Sequence, residues 1–225
     1  MNMKKLYLVC VSLMPFMICS GMIYSIFSLY LQELGMSFTQ IGIVYTVSSI
    51  SGLISAPLFG RLSDRVGRKP IILLTMASFS LVFLLYSLSR SFLQILPAVL
   101  LEGGMWAAFG AVMPAFIADI ARERERGEYM GIYNQAWYTG WAIGPFLGGF
   151  LADCIGFRLS YLICSFVLLI GLFLVLTFVR EESEEGGRGD ERGRETGIEE
   201  ERIRKRRVYD VTEYPLDAHS EGGRF

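Results

Sequence analysis

Two polar features interrupt an otherwise apolar chain. The first is GRLSDRVGRK, Gly60 to Lys69, which packs four cations around one acid, Asp64. The second is Glu102, set among Leu100, Leu101, Gly103 and Gly104. Asp64 can accept hydrogen bonds at a helix end or pair with Arg65 or Arg68, and Asp119 is a second candidate partner for Arg68. A carboxylate in hydrocarbon is costly, so Glu102 is expected to face a bundle interior or a water-filled cavity. There it would exchange a proton or bind a cation, or else be held by helix hydrogen bonds near the outer interface. Catalytic chemistry has no equivalent support. The only histidine is His219 and no phosphate loop or nucleophile–base pair is visible. Cys10, Cys19, Cys154 and Cys164 form no CxxC pair, so an enzyme, a metal site and a disulfide are not expected.

The elements that must position these groups follow from hydropathy. Of 225 residues, 52% are hydrophobic, and nearly all of these precede Val179. A helix needs about 20 apolar residues to cross a bilayer. Six runs qualify: Leu6–Leu31, Ile41–Phe59, Pro70–Leu88, Phe92–Ile117, Tyr129–Leu151 and Leu159–Val179. The expected fold class is therefore all-α and polytopic in the membrane, with residues 1–180 forming a six-helix bundle and no cofactor. Lys4 and Lys5 precede a first run too long for a signal-peptide core, so an uncleaved span is expected. Lys and Arg accumulate on the cytoplasmic side. With the N-terminus inside, the inner segments hold nine cations and the outer loops only Arg90 and Arg158. Both termini are thus expected in the cytoplasm. Ser37 and Gln40 have the spacing of a capping box for the second helix.

The polar loop has an echo. GFLADCIGFR, Gly149 to Arg158, fits the same pattern as Gly60–Lys69 at an offset of 89 residues, and each follows the second span of a three-span set. Three spans is an odd number, so the copies face opposite sides. That is the mark of a 3+3 inverted repeat.

Gly60–Lys69 resembles the loop between the second and third helices of the major facilitator superfamily. GIYNQAWYTGWAIGPFLGG, with Gly140, Gly144, Pro145, Gly148 and Gly149, is similar to the fifth-helix motif of that family's drug/proton antiporter branch. The resemblance covers about Leu6 to Arg180. It implies half of a transporter fold, located in the plasma membrane, that moves small molecules by alternating access. It also implies that Gly60, Asp64, Arg65, Gly67, Arg68 and Asp119 act as a conformational latch, where an orientation anchor would need only the cations. Gly60 and Gly67 are expected to allow tight turns. Ser48, Gly52, Ala56 and Gly60 on span two, and Gly140, Gly144 and Gly148 on span five, form small-residue faces. These suit either packing inside one bundle or, as the family implies, contact with a second bundle.

Candidate substrate or proton groups are polar and aromatic residues at helical spacing. Ser20, Tyr24 and Phe27 share one face, Glu102, Trp106 and Phe109 another, and Asn134, Tyr138 and Trp141 a third. Such a lining would suit amphipathic organic molecules, although belt or packing aromatics have the same spacing. One departure from the family stands out: Val99 occupies the place where proton-coupled members carry an arginine, so facilitated diffusion stays open.

Residues 181–225 are rich in charge and glycine and are expected to form a disordered cytoplasmic tail. Arg202–Arg207 could touch anionic lipid, while no nucleic-acid partner is expected. A single six-helix half cannot supply two-sided access, so a homodimer or a separately encoded second half is expected as partner. The rivals are a non-transporting interaction subunit and an inactive truncated product.

Overall fold

The computed structural model describes residues 3–178, so expectations for the tail lie outside the described residues. Every regular element among them is helical: α1 (Met3–Glu33), α2 (Phe38–Val66), α3 (Arg68–Leu88), α4 (Phe92–Ile120), a short 3₁₀ turn at Glu123–Glu125, and α5 (Arg126–Phe178). The first four reproduce the expected spans, each extended by a few polar residues beyond the hydrocarbon stretch. Among the described residues, five helical elements are long and apolar enough to cross a membrane, the last of them holding two arms.

The fifth and sixth expected spans are two helices that follow one another with almost no loop. They are joined in the 53 residues of α5 and parted only by Gly156, whose backbone lies at φ 79°, ψ 164°. A positive φ is open to glycine without the Cβ clash other residues meet. The contacts with α1 show that the chain doubles back there. Along the first arm, 126–155, Gly140 meets Met17 and Gly148 meets Met22, in ascending order. Along the second arm, 157–178, Cys164 meets Cys19 and Met22 while Gly171 meets Pro15, in descending order. The two arms therefore run antiparallel on α1, and the loop expected at Gly149–Arg158 is replaced by one glycine.

The capping box at the start of α2 is formed. Ser37 Oγ accepts from the Gln40 amide at 3.3 Å, and Gln40 Oε1 accepts from the Ser37 amide at 2.9 Å. This satisfies two of the amides that a helix start leaves without partners.

The inverted repeat is visible in the backbone. Gly67, between α2 and α3, has φ 94°, ψ 162°, nearly the values of its repeat mate Gly156. Two residues on from each glycine stands a cation. Lys69 Nζ donates to the carbonyl of Leu176 at 3.3 Å, and Arg158 Nη2 donates to the carbonyl of Ser89 at 3.2 Å. Each thus satisfies a carbonyl near the C-terminal end of the helix that corresponds to its own in the other repeat. Between these ends, Ser80 and Ser165 exchange hydrogen bonds, hydroxyl to carbonyl, at 2.9 and 2.8 Å. The core is aromatic and thioether-rich: Phe16, Met17, Met76 and Phe79 are fully buried, with Phe16 packed edge-on against Phe79 at 5.1 Å between centroids.

Candidate functional site

The polar loop builds a compact ion cluster. Arg68 opens α3, and its Nη1 lies 2.6 Å from Asp64 Oδ1, four residues back, while its Nε lies 3.0 Å from Asp119 Oδ2 near the end of α4. The same Nη1 donates to Ser63 Oγ at 2.6 Å, and that hydroxyl donates to the Gly60 carbonyl at 2.8 Å. One guanidinium thus ties the α2–α3 turn to α4 through its forked donors. Asp64 and Asp119 keep 62% and 56% of their side-chain surface in contact with solvent, so the cluster is screened and its net strength modest.

Two expectations for this loop need correction, and one residue goes beyond them. Arg65 is exposed and makes no ion pair among the described residues. Gly60 lies inside α2, and a Cβ there would meet nothing within 4 Å, so the turn is carried by Gly67 alone. Ser63, buried in the cluster, had no distinguishing mark in the sequence beyond its place next to Asp64.

The glycine face of α5 is occupied within the chain. A Cβ on Gly140 would come 2.6 Å from Met17 Cβ, on Gly144 2.6 Å from the Ile18 carbonyl oxygen, and on Gly148 2.6 Å from that of Met22. These three residues let the backbones of α1 and α5 touch, so this face is not available to a second bundle as the family had implied. Pro145 packs its Cδ towards Gly21 of α1, while Gly149 points where a Cβ would meet nothing within 4 Å. The small residues of α2 likewise face α4. Gly103 sits against the backbone of Ser48, Gly52 against the Gly103 carbonyl, and Ser51 Oγ donates to the Leu100 carbonyl at 2.6 Å.

This close α2–α4 contact shapes a cavity of about 80 Å³ between α1, α2 and α4. Tyr24 and Phe27 line it from α1, Tyr45 and Ser48 from α2, and Val99, Glu102 and Trp106 from α4. Glu102 is held from outside the lining: the Tyr86 hydroxyl of α3 donates to Glu102 Oε2 at 2.7 Å. Val99 is fully buried, and no Lys or Arg lines the cavity. The arrangement offers a carboxylate in an aromatic, weakly polar chamber, suited to a positively charged or hydrogen-bond-donating group.

The expected candidate residues divide. Tyr24, Glu102 and Trp106 are brought together in the cavity. Trp141 stands beside it, its ring 5.2 Å from that of Tyr24. Asn134 and Tyr138 are exposed on α5, Tyr138 at 71%, and take no part in the lining. Ser20 is turned into the helix, donating to the Phe16 carbonyl, and Phe109 packs on Phe16 in the core. Tyr86 and Tyr45 were not expected. Tyrosines near span ends read as interfacial belt residues, and only the crossing of helices brings these two to Glu102.

Comparison with known proteins agrees with this architecture. The family model described as Major Facilitator Superfamily matches residues 9–212. Multidrug resistance protein 1 of Bacillus subtilis is 30% identical over 181 residues, which cover 79% of this chain and 46% of that protein. Multidrug resistance protein 2 of the same organism is 32% identical, covering 72% and 40%. The tetracycline resistance protein, class H, of Pasteurella multocida is 29% identical over 64% of this chain and 35% of its own. The crystal structure of the human organic anion transporter MFSD10 superposes with a TM-score of 0.62 at 18% identity, over 78% of this chain and 47% of that one, which speaks to the fold. The chain spans about half the length of the relatives it matches. It is a multi-pass membrane protein and belongs to the Major Facilitator Superfamily.

Proposed function

We propose that this chain supplies one six-helix half of a secondary transporter that exports small organic molecules, with its N-terminus in the cytoplasm of the cell whose plasma membrane it spans. The observation that carries this reading is the cavity around Glu102. At about 80 Å³ it has room for a few waters, whereas pockets for drug-sized molecules run to roughly 300 Å³ or more. Walls from three helices of one bundle fit the part of a substrate site that a second bundle would complete. The names of the relatives, multidrug and tetracycline resistance proteins, support organic export as the function class.

A copy of this chain or a second six-helix half would supply the second bundle. Large apolar side chains stand out from α2 and the first arm of α5, with Leu53 76% and Phe146 74% exposed, and suit contact with either lipid or such a partner. In this reading Arg68, Asp64 and Asp119 hold one access state and part in another. Glu102 is the only carboxylate in the cavity lining, so proton coupling or cation binding rests on it.

The test is efflux of a fluorescent lipophilic dye from liposomes, with the chain alone and with a six-span partner, alongside native mass spectrometry in lipid. Transport is expected only where a dimer or pair is detected. Transport by a population that is wholly monomeric would overturn the assembly. Undiminished and still proton-dependent transport by Glu102→Gln would reject coupling at that residue.

A further inference from the structure

The two halves of Tyr86 do different jobs. Its hydroxyl donates to Glu102 Oε2 at 2.7 Å, and its backbone carbonyl accepts from the Tyr30 hydroxyl of α1 at 2.6 Å. The same Tyr30 hydroxyl lies 3.1 Å from the carbonyl of Ser89, which also receives Arg158 from the second arm of α5. Ser89 is the C-cap of α3, and its amide closes back on Leu85 and Tyr86. The last turn of α3 is therefore a junction for α1, α3 and α5, and Tyr86 is the residue that extends it to α4. Its ring is fully buried and its hydroxyl has one acceptor near it, so the bond to Glu102 fixes the rotamers of both side chains.

We infer that Tyr86 is a positioning residue for Glu102, holding one carboxylate oxygen at the cavity wall and tying the carboxylate to the helix junction at the end of α3. The inference rests on the reading of this cavity as part of a substrate site. An ionised carboxylate accepts about four hydrogen bonds. With Tyr86 on Oε2 and the Trp106 indole beside the carboxylate, acceptor capacity still remains for a donor group in the cavity. A ligand that draws on Glu102 then also draws on Tyr86, and through its backbone on the contacts that α3 makes with α1 and α5. Occupancy of the cavity is thereby linked to the packing of the two repeats, with no charged residue of the lining needed besides Glu102.

Tyr161 is the internal control. It is also fully buried, and its ring packs edge-on against Tyr86 at 5.6 Å, yet its hydroxyl has no hydrogen-bond partner among the described residues. Removing that hydroxyl takes away the same atom from the same aromatic cluster without removing a hydrogen bond to Glu102.

The experiment is infrared spectroscopy of the full chain in lipid nanodiscs, which requires neither substrate nor transport. The carboxyl band of Glu102 is the one lost in Glu102→Gln. A hydrogen bond from a phenol shifts such a band, so Tyr86→Phe is expected to move it and Tyr161→Phe to leave it in place. A fluorinated tyrosine at position 86 keeps the ring and hydroxyl but donates more strongly, and is expected to move the band in the opposite direction; it serves also if Tyr86→Phe does not fold. An unmoved band in Tyr86→Phe or the fluorinated protein, or an equal shift in Tyr161→Phe, overturns the inference. Absence of dye efflux from the parent protein, with the band shifts intact, would instead count against the transport reading alone.

Discussion

Arg158 reaches across the bundle to the carbonyl of Ser89, and Lys69 repeats the contact on the carbonyl of Leu176. Both cations stand two residues after a glycine with φ near +80 to +94°. The glycine frees the chain to reverse in one step, and the following turn aims the cation at the nearest antiparallel helix end. Carbonyls in the last turn of a helix have no partner within it, so a cation is a favourable donor there. The inverted repeat is thus maintained by the same local chemistry at two ends of one helix pair.

Arg158→Met is expected to lower stability by about 1 kcal/mol, near the net value of a hydrogen bond reduced by exposure. Arg158→Lys retains a donor and should recover about half of that loss. Thermal unfolding in a mild detergent, followed by circular dichroism, measures both. A melting temperature for Arg158→Met equal to that of the parent would show that the contact has no structural weight.

Adjacent glycines on α5 should behave in opposite ways. Gly148→Ala places a methyl group 2.6 Å from the Met22 carbonyl oxygen, closer than atoms pack, so α1 must shift. Overpacking of this kind costs about 1–3 kcal/mol. Gly149→Ala meets nothing within 4 Å and exchanges glycine for the best helix former, a gain of up to about 1 kcal/mol. The same unfolding assay decides: a larger loss for Gly149→Ala than for Gly148→Ala would contradict the α1–α5 contact.

What the sequence disclosed and what it withheld follow from how far apart the partners lie. The spans, the Ser37–Gln40 cap and the Asp64–Arg68 pair are local patterns, set by hydropathy and by helical spacing. Asp119 could be named beforehand because it is an acid at the end of the fourth apolar run, expected on the same side as Arg68. The small faces of α2 and α5 were legible as faces, but not their occupants: α4 and α1 of the same chain fill them, a choice made by tertiary packing. The single-residue reversal at Gly156 was hidden because the repeat pattern suggests a loop of the usual length. Tyr86 was hidden for a different reason. Its type and place are ordinary, and its hydroxyl acquires a role only when α3 crosses α4.

The Arg68 cluster should be weak but cooperative. Asp64→Asn and Asp119→Asn are each expected to cost about 0.5 kcal/mol, given how much solvent reaches the carboxylates. Since both act on one guanidinium, the double variant should differ from the sum of the singles. Raising the salt concentration should shrink the effects of both. Unfolding at low and high salt tests this, and additive, salt-independent losses would mean that the acids act separately.

Ser80 and Ser165 provide a direct test of how the two repeats cross. Their hydroxyl oxygens are 3.1 Å apart, with each also bonded to the other's carbonyl, so the two side chains meet where α3 crosses the second arm. A disulfide spans Cβ atoms about 3.5–4.5 Å apart. With the native cysteines replaced, Ser80→Cys combined with Ser165→Cys should therefore crosslink under mild oxidation, joining α3 to the second arm of α5. Pairing Ser80→Cys with Ser160→Cys, more than one turn away, should not. Mass spectrometry of tryptic fragments reads the bond. The position matters beyond geometry, because these serines lie between the Lys69 and Arg158 contacts on the same helix pair. If α3 and the second arm slide past each other during function, the crosslink should abolish dye efflux and a reductant should restore it. If instead they move as one rigid body, efflux should survive oxidation.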